Sequence, residues 1–372
     1  MPSLLMFDPI RDLKKYISFI MALNPQIFQD LNKDTVAELK KNIPEISEAD
    51  KAKESLSLTK YVEYKIKEFS ESRSNSNKNN SDNNCNSNGT GDTNGDTNGN
   101  SDENSSRSLT RYFYRGQYDS KVAMKSGVYR GDNQDKEDFY YHEILVRCPD
   151  DFKNTTHLEK LAIMQHYGVP TRLLDITANP LAALYFACKN YGCEKCKSCD
   201  EGVVHVFQIE TDDLSYFDSD RALILSCLPK FKASEKKEIL KLAVNNLYKD
   251  EFPLDSNGKV YKDSVIERLY HEICSEAPAF TRNIKPIDLL SPLFVQPSKN
   301  SKRILRQDGA FIISGLSANT YEEIFKLHVI ISHVEIIVRN KNEILKQLDK
   351  IGINEATLFP EIDHVATYLK SL

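Results

Sequence analysis

The stretch that decides the fold runs from Gln165 to Cys188 and reads QHYGVPTRLLDITANPLAALYFAC. Gly168 can close a helix in the left-handed region and Pro170 cannot continue it, so a helix is predicted to end here. The pair Asn179-Pro180 is typical of a helix start, where a side-chain oxygen caps free backbone N–H groups. From Leu181 to Phe186 the residues are apolar nearly all round, which predicts a buried second helix.

Four polar residues lie inside this apolar stretch: Gln165, His166, Arg172 and Asp175. Polar groups beside a buried element need partners or a function. Because the four straddle the turn, they are predicted either to converge on one cleft or to satisfy each other. His166 is a candidate acid or base near neutral pH, with a structural role as the alternative. For Asp175 we favour a cap or an arginine partner over a general base.

Composition limits the protein class. The chain has 372 residues, 40% of them hydrophobic, enough for one large domain or two ordinary ones. A formal net charge of −5 gives no basic footprint for nucleic acid. No apolar run approaches the ~18 residues of a membrane span, and the N-terminus lacks the pattern of a signal peptide. The eight cysteines are therefore expected to be reduced, and the protein is predicted to be cytoplasmic.

Apolar residues at helical spacing predict a helical N-terminal segment over residues 1–56, followed by one domain over 57–372. An Asn-, Ser- and Gly-rich insertion, residues 70–108, interrupts this domain and is predicted to be disordered. The insertion also carries part of a calcium-loop pattern, but lacks its glycine and flanking helices, so we favour a flexible segment; the pattern residues are Asp92, Asn94, Asp96 and Glu103.

Separated strands and helices follow without regular βαβ alternation, which predicts an α+β fold with a small mixed or antiparallel central sheet surrounded by helices. The predicted strands are 109–117, 202–210, 309–314 and 333–338, and the predicted helices include 158–166, 230–248, 264–275, 342–350 and 362–369. The segment with Pro286, Pro292 and Pro297 is predicted to be extended.

A group of cysteines follows the second helix, at Cys188, Cys193, Cys196 and Cys199. Four thiolates can bind zinc tetrahedrally. Zinc sites of this type usually join two separated pairs of ligands, whereas these four fall within twelve residues. Cys188 also lies on an apolar helix face. We therefore favour a loop of reduced thiols and assign no metal ligands.

Several motifs resemble the FRG domain family. Tyr114-Arg115-Gly116-Gln117 is similar to the aromatic-Arg-Gly signature of the family, and Gln165–Asp175 with Asn179-Pro180 resembles its longer second signature. Arg306–Phe311 and Gly352–Pro360 are similar to later blocks. The family occurs mostly in bacteria, often in settings that suggest defence or toxin-like roles, and the resemblance implies such a role here.

Tyr114-Arg115-Gly116 also resembles the first core strand of arginine-directed ADP-ribosyltransferases, whose arginine holds NAD. That resemblance implies cofactor contacts from Tyr114, Arg115 and Gly116, and the same cleft is expected to recruit Gln165, Arg172, Arg306 and Gln307. Its catalytic glutamate is expected at Glu210, in Gln208-Ile209-Glu210, with Glu335 and Glu143 as substitutes. His166 and Asp175 complete the candidate catalytic set.

Two functions remain open at this point. The first is an NAD-consuming, ADP-ribosyltransferase-like effector that acts on an unidentified macromolecular target. The second is a non-catalytic module that binds a nucleotide or a partner in the same cleft. A nuclease ranks third, since no acidic metal cluster is evident. For Arg115 the alternative to ligand binding is a structural role, in a buried ion pair with Asp175. The oligomeric state is left open.

Overall fold

The computed structural model describes residues 110–190, 201–247, 249–316 and 330–372. The predicted helical segment 1–56 and the insertion 70–108, with its calcium-loop pattern, lie outside these residues. The described strands are β1 Thr110–Gln117, β2 Leu173–Thr177, β3 Gly202–Glu210, β4 Leu214–Tyr216, β5 Leu293–Gln296, β6 Gly309–Ile313 and β7 Ile330–Val338. The described α-helices are α1 Glu137–Arg147, α2 His157–His166, α3 Pro180–Cys188, α4 Asp220–Cys227, α5 Ala233–Asn245, α6 Ser264–Glu276, α7 Pro286–Leu290, α8 Lys302–Gln307, α9 Lys341–Lys350, α10 Glu355–Leu358 and α11 Ile362–Ser371.

The strands form one sheet in the order β4-β5-β6-β2-β1-β3-β7. The β4–β5 pair is parallel and every other neighbouring pair is antiparallel. The predicted α+β class with a mixed sheet is thus confirmed. The β3 strand begins and ends at the predicted residues. The prediction of an extended Pro-rich segment is wrong at its start, because Pro286 opens the short helix α7.

The opening stretch folds as its sequence indicates. Gly168 has φ 82° and follows the end of α2. The apolar run after the turn is β2, and Asn179 then caps α3 by accepting hydrogen bonds from the backbone N–H groups of Leu181 and Ala182. The α3 helix is buried along most of its length. This helix and β2 thereby hold the signature residues against the middle of the sheet.

Side chains alternate between the two faces of the sheet, since the period of a strand is two residues. The described helices build two large apolar clusters against one face, and α3 packs there against Tyr114 of β1 and Val206 of β3. We call this the helix face. Phe113, Phe207 and Phe294 belong to a third apolar cluster on the opposite face. We call that the distal face, and it also carries Arg115.

None of the helices in the described ranges is both long and apolar enough to cross a lipid bilayer.

Candidate functional site

Arg115 lies at the centre of β1, on the distal face, and its side chain is half-buried. Its Nη1 donates to the carbonyl oxygen of Asp175 at 2.7 Å, and its Nε donates to Oε1 of Gln117 at 3.3 Å. The contact to Asp175 is therefore made with the backbone of β2 and not with the carboxylate. These bonds fix the guanidinium at the junction of β1 and β2.

The Asp175 carboxylate has a different partner. Its Oδ2 accepts a hydrogen bond from Nε2 of Gln165 at 2.7 Å, while Oε1 of Gln165 accepts one from the Thr171 hydroxyl at 2.9 Å. A chain of hydrogen bonds thus connects Arg115 of β1 to β2 and to the end of α2. The Asp175 carboxylate and Gln165 are thus brought together, with Asp175 as the acceptor. Alternation puts this carboxylate on the helix face, so Arg115 on the distal face meets Asp175 only through its backbone carbonyl.

Arg172 is fully buried and points into the protein core. Its Nε and Nη2 donate to the two carboxylate oxygens of Glu137 at 2.9 and 2.6 Å, and its Nη1 donates to the carbonyl of Ser314. Lys236 donates to the same carboxylate at 2.7 Å. The cofactor contact predicted for Arg172 therefore has no geometric support, because its guanidinium holds α1, β2 and α5 together.

His166 is half-buried at the end of α2. Its Nδ1 lies 3.5 Å from Nη1 of Arg303, and its Nε2 lies 3.7 Å from Oε1 of Glu361. Burial lowers the pKa of His166, and the positive charge of Arg303 lowers it further. The imidazole is therefore neutral at pH 7. Its position between α8 and the start of α11 matches the structural alternative better than a role beside Arg115.

Gln307 and Arg306 end the short helix α8. Nε2 of Gln307 donates to the carbonyl of Leu358 at 3.1 Å, and its backbone carbonyl accepts a hydrogen bond from the Thr177 hydroxyl. Gln307 thus anchors the turn before β6 to β2 and α10. Arg306 is exposed. For Gln307 the geometry therefore favours the anchoring of a loop over a contact in the cleft.

Tyr114 and Gly116 flank Arg115 but face the helix side of the sheet. Tyr114 is buried against α3, and this burial, with the nearby Tyr112, raises the pKa of its hydroxyl to about 12. A Cβ on Gly116 would lie 1.9 Å from the carbonyl oxygen of Ala183. The ligand contacts predicted for Tyr114 and Gly116 are better explained by helix packing, with α3 lying directly on β1.

Strand pairing decides which glutamate lies near Arg115. Arg115 pairs with His205, whereas Glu210 pairs with Thr110 at the end of β3. Five residues of strand place Glu210 about 17 Å along the sheet from the level of Arg115. Glu143 binds Arg147 on an exposed face of α1. The geometry therefore disfavours both Glu210 and Glu143 as partners of Arg115.

Glu335 is placed differently. It pairs with His205, which pairs with Arg115, so the three residues form one row across β7, β3 and β1 on the distal face. Two strand spacings separate the backbones of Arg115 and Glu335 by about 10 Å. Nδ1 of His205 lies 3.3 Å from Oε1 of Glu335, and this contact lowers the pKa of the glutamate. Glu335 is therefore ionised at neutral pH.

Two histidines of this region were not singled out from the sequence. Nδ1 of His205 lies 3.2 Å from Nε2 of His333, and the two rings stack at a centroid distance of 5.3 Å. Phe207 stacks on His333 at 5.0 Å. The available signal was the alternation His333-x-Glu335 in a predicted strand, which puts both side chains on one face. Their proximity to His205 depends on strand register.

For the cysteines, the structure describes only Cys188 of the four. It is buried in the cluster beneath α3, and burial raises the pKa of its thiol to about 12. Cys193, Cys196 and Cys199 lie outside the described residues. Preference for reduced thiols over a zinc site therefore stays a prediction.

Comparison with known proteins identifies the domain. The family model of the FRG domain matches residues 110–195, which contain both Tyr114-Arg115-Gly116 and Gln165–Asp175. The chain therefore carries an FRG domain over these residues, and the resemblance of the first two signatures is confirmed; the two later blocks lie outside the match. No curated protein and no solved structure matches the chain.

Proposed function

We propose that the distal face of the FRG domain cleaves the nicotinamide–ribose bond of NAD, as an ADP-ribosyltransferase-like enzyme. One observation supports this most strongly: Arg115 and Glu335 lie in one row on the same face, about 10 Å apart through two strand spacings. This arrangement offers a cationic group for the pyrophosphate and, at the other end of the row, a carboxylate for the ribose.

Arg115 supplies the phosphate contact in this proposal. A guanidinium presents donors in a planar fork that matches two phosphate oxygens, which the point charge of a lysine does not. The carbonyl of Asp175 and the amide of Gln117 hold the group in place. Little side-chain entropy is then lost on binding, since the guanidinium is already oriented.

Glu335 supplies the carboxylate. Cleavage of an N-glycosidic bond develops positive charge on the ribose, and a fixed anion stabilises that charge. The contact with His205 keeps Glu335 ionised, and its side chain retains 28% of its exposure. The carboxylate is therefore both charged and partly accessible.

The reaction is balanced without a redox partner. The bond between the ribose C1′ and the nicotinamide nitrogen breaks, and its electron pair stays with nicotinamide, which leaves as a neutral base. An oxygen of water forms the new bond to C1′ and its proton passes to solvent, giving ADP-ribose. In transfer, a nucleophile of the macromolecular target replaces water. In this proposal the effector acts in the cytoplasm, in a defence setting.

The experiment compares Arg115→Ala with Arg111→Ala, an exposed arginine on the same strand and the same face. Nicotinamide release from NAD is measured by chromatography, and NAD binding by calorimetry. We expect kcat/KM to fall about 10²-fold or more in Arg115→Ala, as when other preorganised donors are removed. The Arg111→Ala variant is expected to match the wild type.

The same measurements separate the two functions. Nicotinamide release that is unaffected by Arg115→Ala would contradict the proposed site. NAD binding that depends on Arg115, with no nicotinamide released by the wild type, would instead establish the non-catalytic nucleotide-binding module.

A further inference from the structure

A cluster of metal-binding residues lies at the β3–β7 end of the same row. His205 stands in the middle of β3, Glu335 is its direct partner on β7, and His333 is two residues earlier on β7. All three side chains therefore project from one face. One ligand atom from each lies within 4.8 Å of the other two. Strand register, and not local sequence, assembles the group.

The distances between these atoms match metal coordination. Zinc binds imidazole nitrogen and carboxylate oxygen at about 2.0–2.2 Å, so two ligands of a tetrahedral ion lie about 3.3 Å apart. Nδ1 of His205 lies 3.2 Å from Nε2 of His333 and 3.3 Å from Oε1 of Glu335. Two of the three ligand separations already have the required length.

Hydrogen bonding alone does not explain why the three side chains lie so close together. Nδ1 of His205 carries at most one proton, so it can donate to His333 or to Glu335 but not to both. Ring stacking accounts for the two imidazoles against Phe207, but it gives no role to the carboxylate.

We infer that His205, His333 and Glu335 form a binding site for a divalent transition-metal ion of the zinc class. Two imidazoles and one carboxylate suit zinc and its neighbours in the first transition row, whereas calcium and magnesium prefer sites made of oxygen ligands. Three protein ligands correspond to a site that keeps a coordination position for water or a small molecule, in contrast to a closed four-ligand structural site.

The metal site and the proposed NAD-cleaving site share one residue, Glu335. A carboxylate bound to zinc is no longer available to the ribose of NAD. If the proposed function is correct, zinc binding inhibits the enzyme, and this one consequence rests on that function. Binding itself does not, because it follows from the three ligands alone.

The test uses the full chain, stripped with a chelator and then titrated with ZnCl₂ in a calorimeter. We expect the cluster to bind one zinc ion per chain. The affinity for this ion should be weakened at least about tenfold in His333→Ala and in Glu335→Gln. That is the minimum effect expected, since loss of an outer-shell partner alone costs 10–100-fold. His271→Ala is the matched control, because its exposed imidazole contacts Glu267 at 3.2 Å and does not belong to the cluster.

Cobalt substitution identifies the ligands. Co²⁺ held by nitrogen and oxygen gives visible d–d bands, whereas thiolate ligation by the cysteines adds intense near-ultraviolet charge-transfer bands. We expect the d–d bands without the thiolate bands, and their loss in His333→Ala. Zinc or cobalt binding that is unchanged in both His333→Ala and Glu335→Gln would overturn the inference, as would binding accompanied only by thiolate bands.

Nicotinamide release, measured with chelator and with added zinc, separates the two proposals. Release that occurs without any zinc binding would overturn the metal site alone. Zinc binding at the three residues, with no release in either condition, would leave the metal site established and contradict the proposed function.

Discussion

Replacing Glu137 with alanine is expected to lower the free energy of unfolding by about 3–5 kcal/mol, the cost of leaving buried charge without its partner. The Glu137 carboxylate lies between Arg172 and Lys236, with which it makes contacts of 2.6–2.9 Å. All three side chains are at least nine-tenths buried. In Glu137→Ala two buried cations would face each other at the junction of α1, β2 and α5.

Glu143→Ala is the matched control on the same helix. Glu143 binds Arg147 at 2.7 Å, but both side chains are exposed, at 40% and 74%. Exposed pairs contribute about 0–1 kcal/mol. Urea denaturation of the full chain measures both variants. Equal losses in the two variants would show that the buried ion network does not organise the fold.

The same network predicts a dependence on pH. Burial alone would raise the pKa of Glu137, but Arg172 and Lys236 outweigh burial and hold it below its ordinary value of 4.5. A carboxyl group with a lowered folded-state pKa contributes stability above its unfolded pKa and loses it as the pH falls through the folded pKa. The difference in stability between wild type and Glu137→Ala should therefore shrink as the pH drops below about 4.5.

Gly116→Ala is expected to destabilise the protein by about 3 kcal/mol or more, at the upper end of the cost of overpacking a core. The added Cβ would lie 1.9 Å from the carbonyl oxygen of Ala183 and 2.6 Å from the backbone nitrogen of Ala187. Both atoms are backbone and cannot turn aside, so α3 would have to move off β1. This movement would also displace β1 and with it the Arg115 side chain.

Gly309→Ala is the control for this substitution. The nearest atoms to its Cβ belong to Ile304 at 3.7 Å, an ordinary van der Waals contact, and the backbone there has no positive φ. We expect a change within about 0.5 kcal/mol, as for surface substitutions without a special conformation. Thermal unfolding followed by circular dichroism compares the two variants, and a similar loss in both would refute the proposed contact between α3 and β1.

Local sequence patterns predict most of the helices and strands, but they do not predict which strands pair or the shortest elements. The β-branched run of β3 and the turn at Gly168 are local signals, and both proved correct. The three-residue strand β4 and the short helix α7 are too brief to show a period. The prolines predict an extended segment at Pro286 because proline disfavours helix interiors, whereas proline is well suited to a first helical turn.

The candidate site also depends on strand pairing that local sequence does not reveal. The signature Tyr114-Arg115-Gly116 reads as one motif, yet alternation sends Arg115 to one face and its two neighbours to the other. Glu210 was favoured from its local Gln-x-Glu pattern. Glu335 lies in the row of Arg115 only because β7 pairs with β3 in a particular register. Register depends on contacts between distant segments, which a single sequence does not display.

The choice between the two glutamates tests the account most directly. Nicotinamide release from NAD is measured in the presence of chelator for wild type, Glu335→Gln and Glu210→Gln, with circular dichroism confirming that each variant is folded. We predict that Glu335→Gln lowers kcat about 10²–10³-fold, as removal of a transition-state contact does, while Glu210→Gln stays near the wild-type rate. A folded Glu335→Gln variant that releases nicotinamide at the wild-type rate would contradict the account.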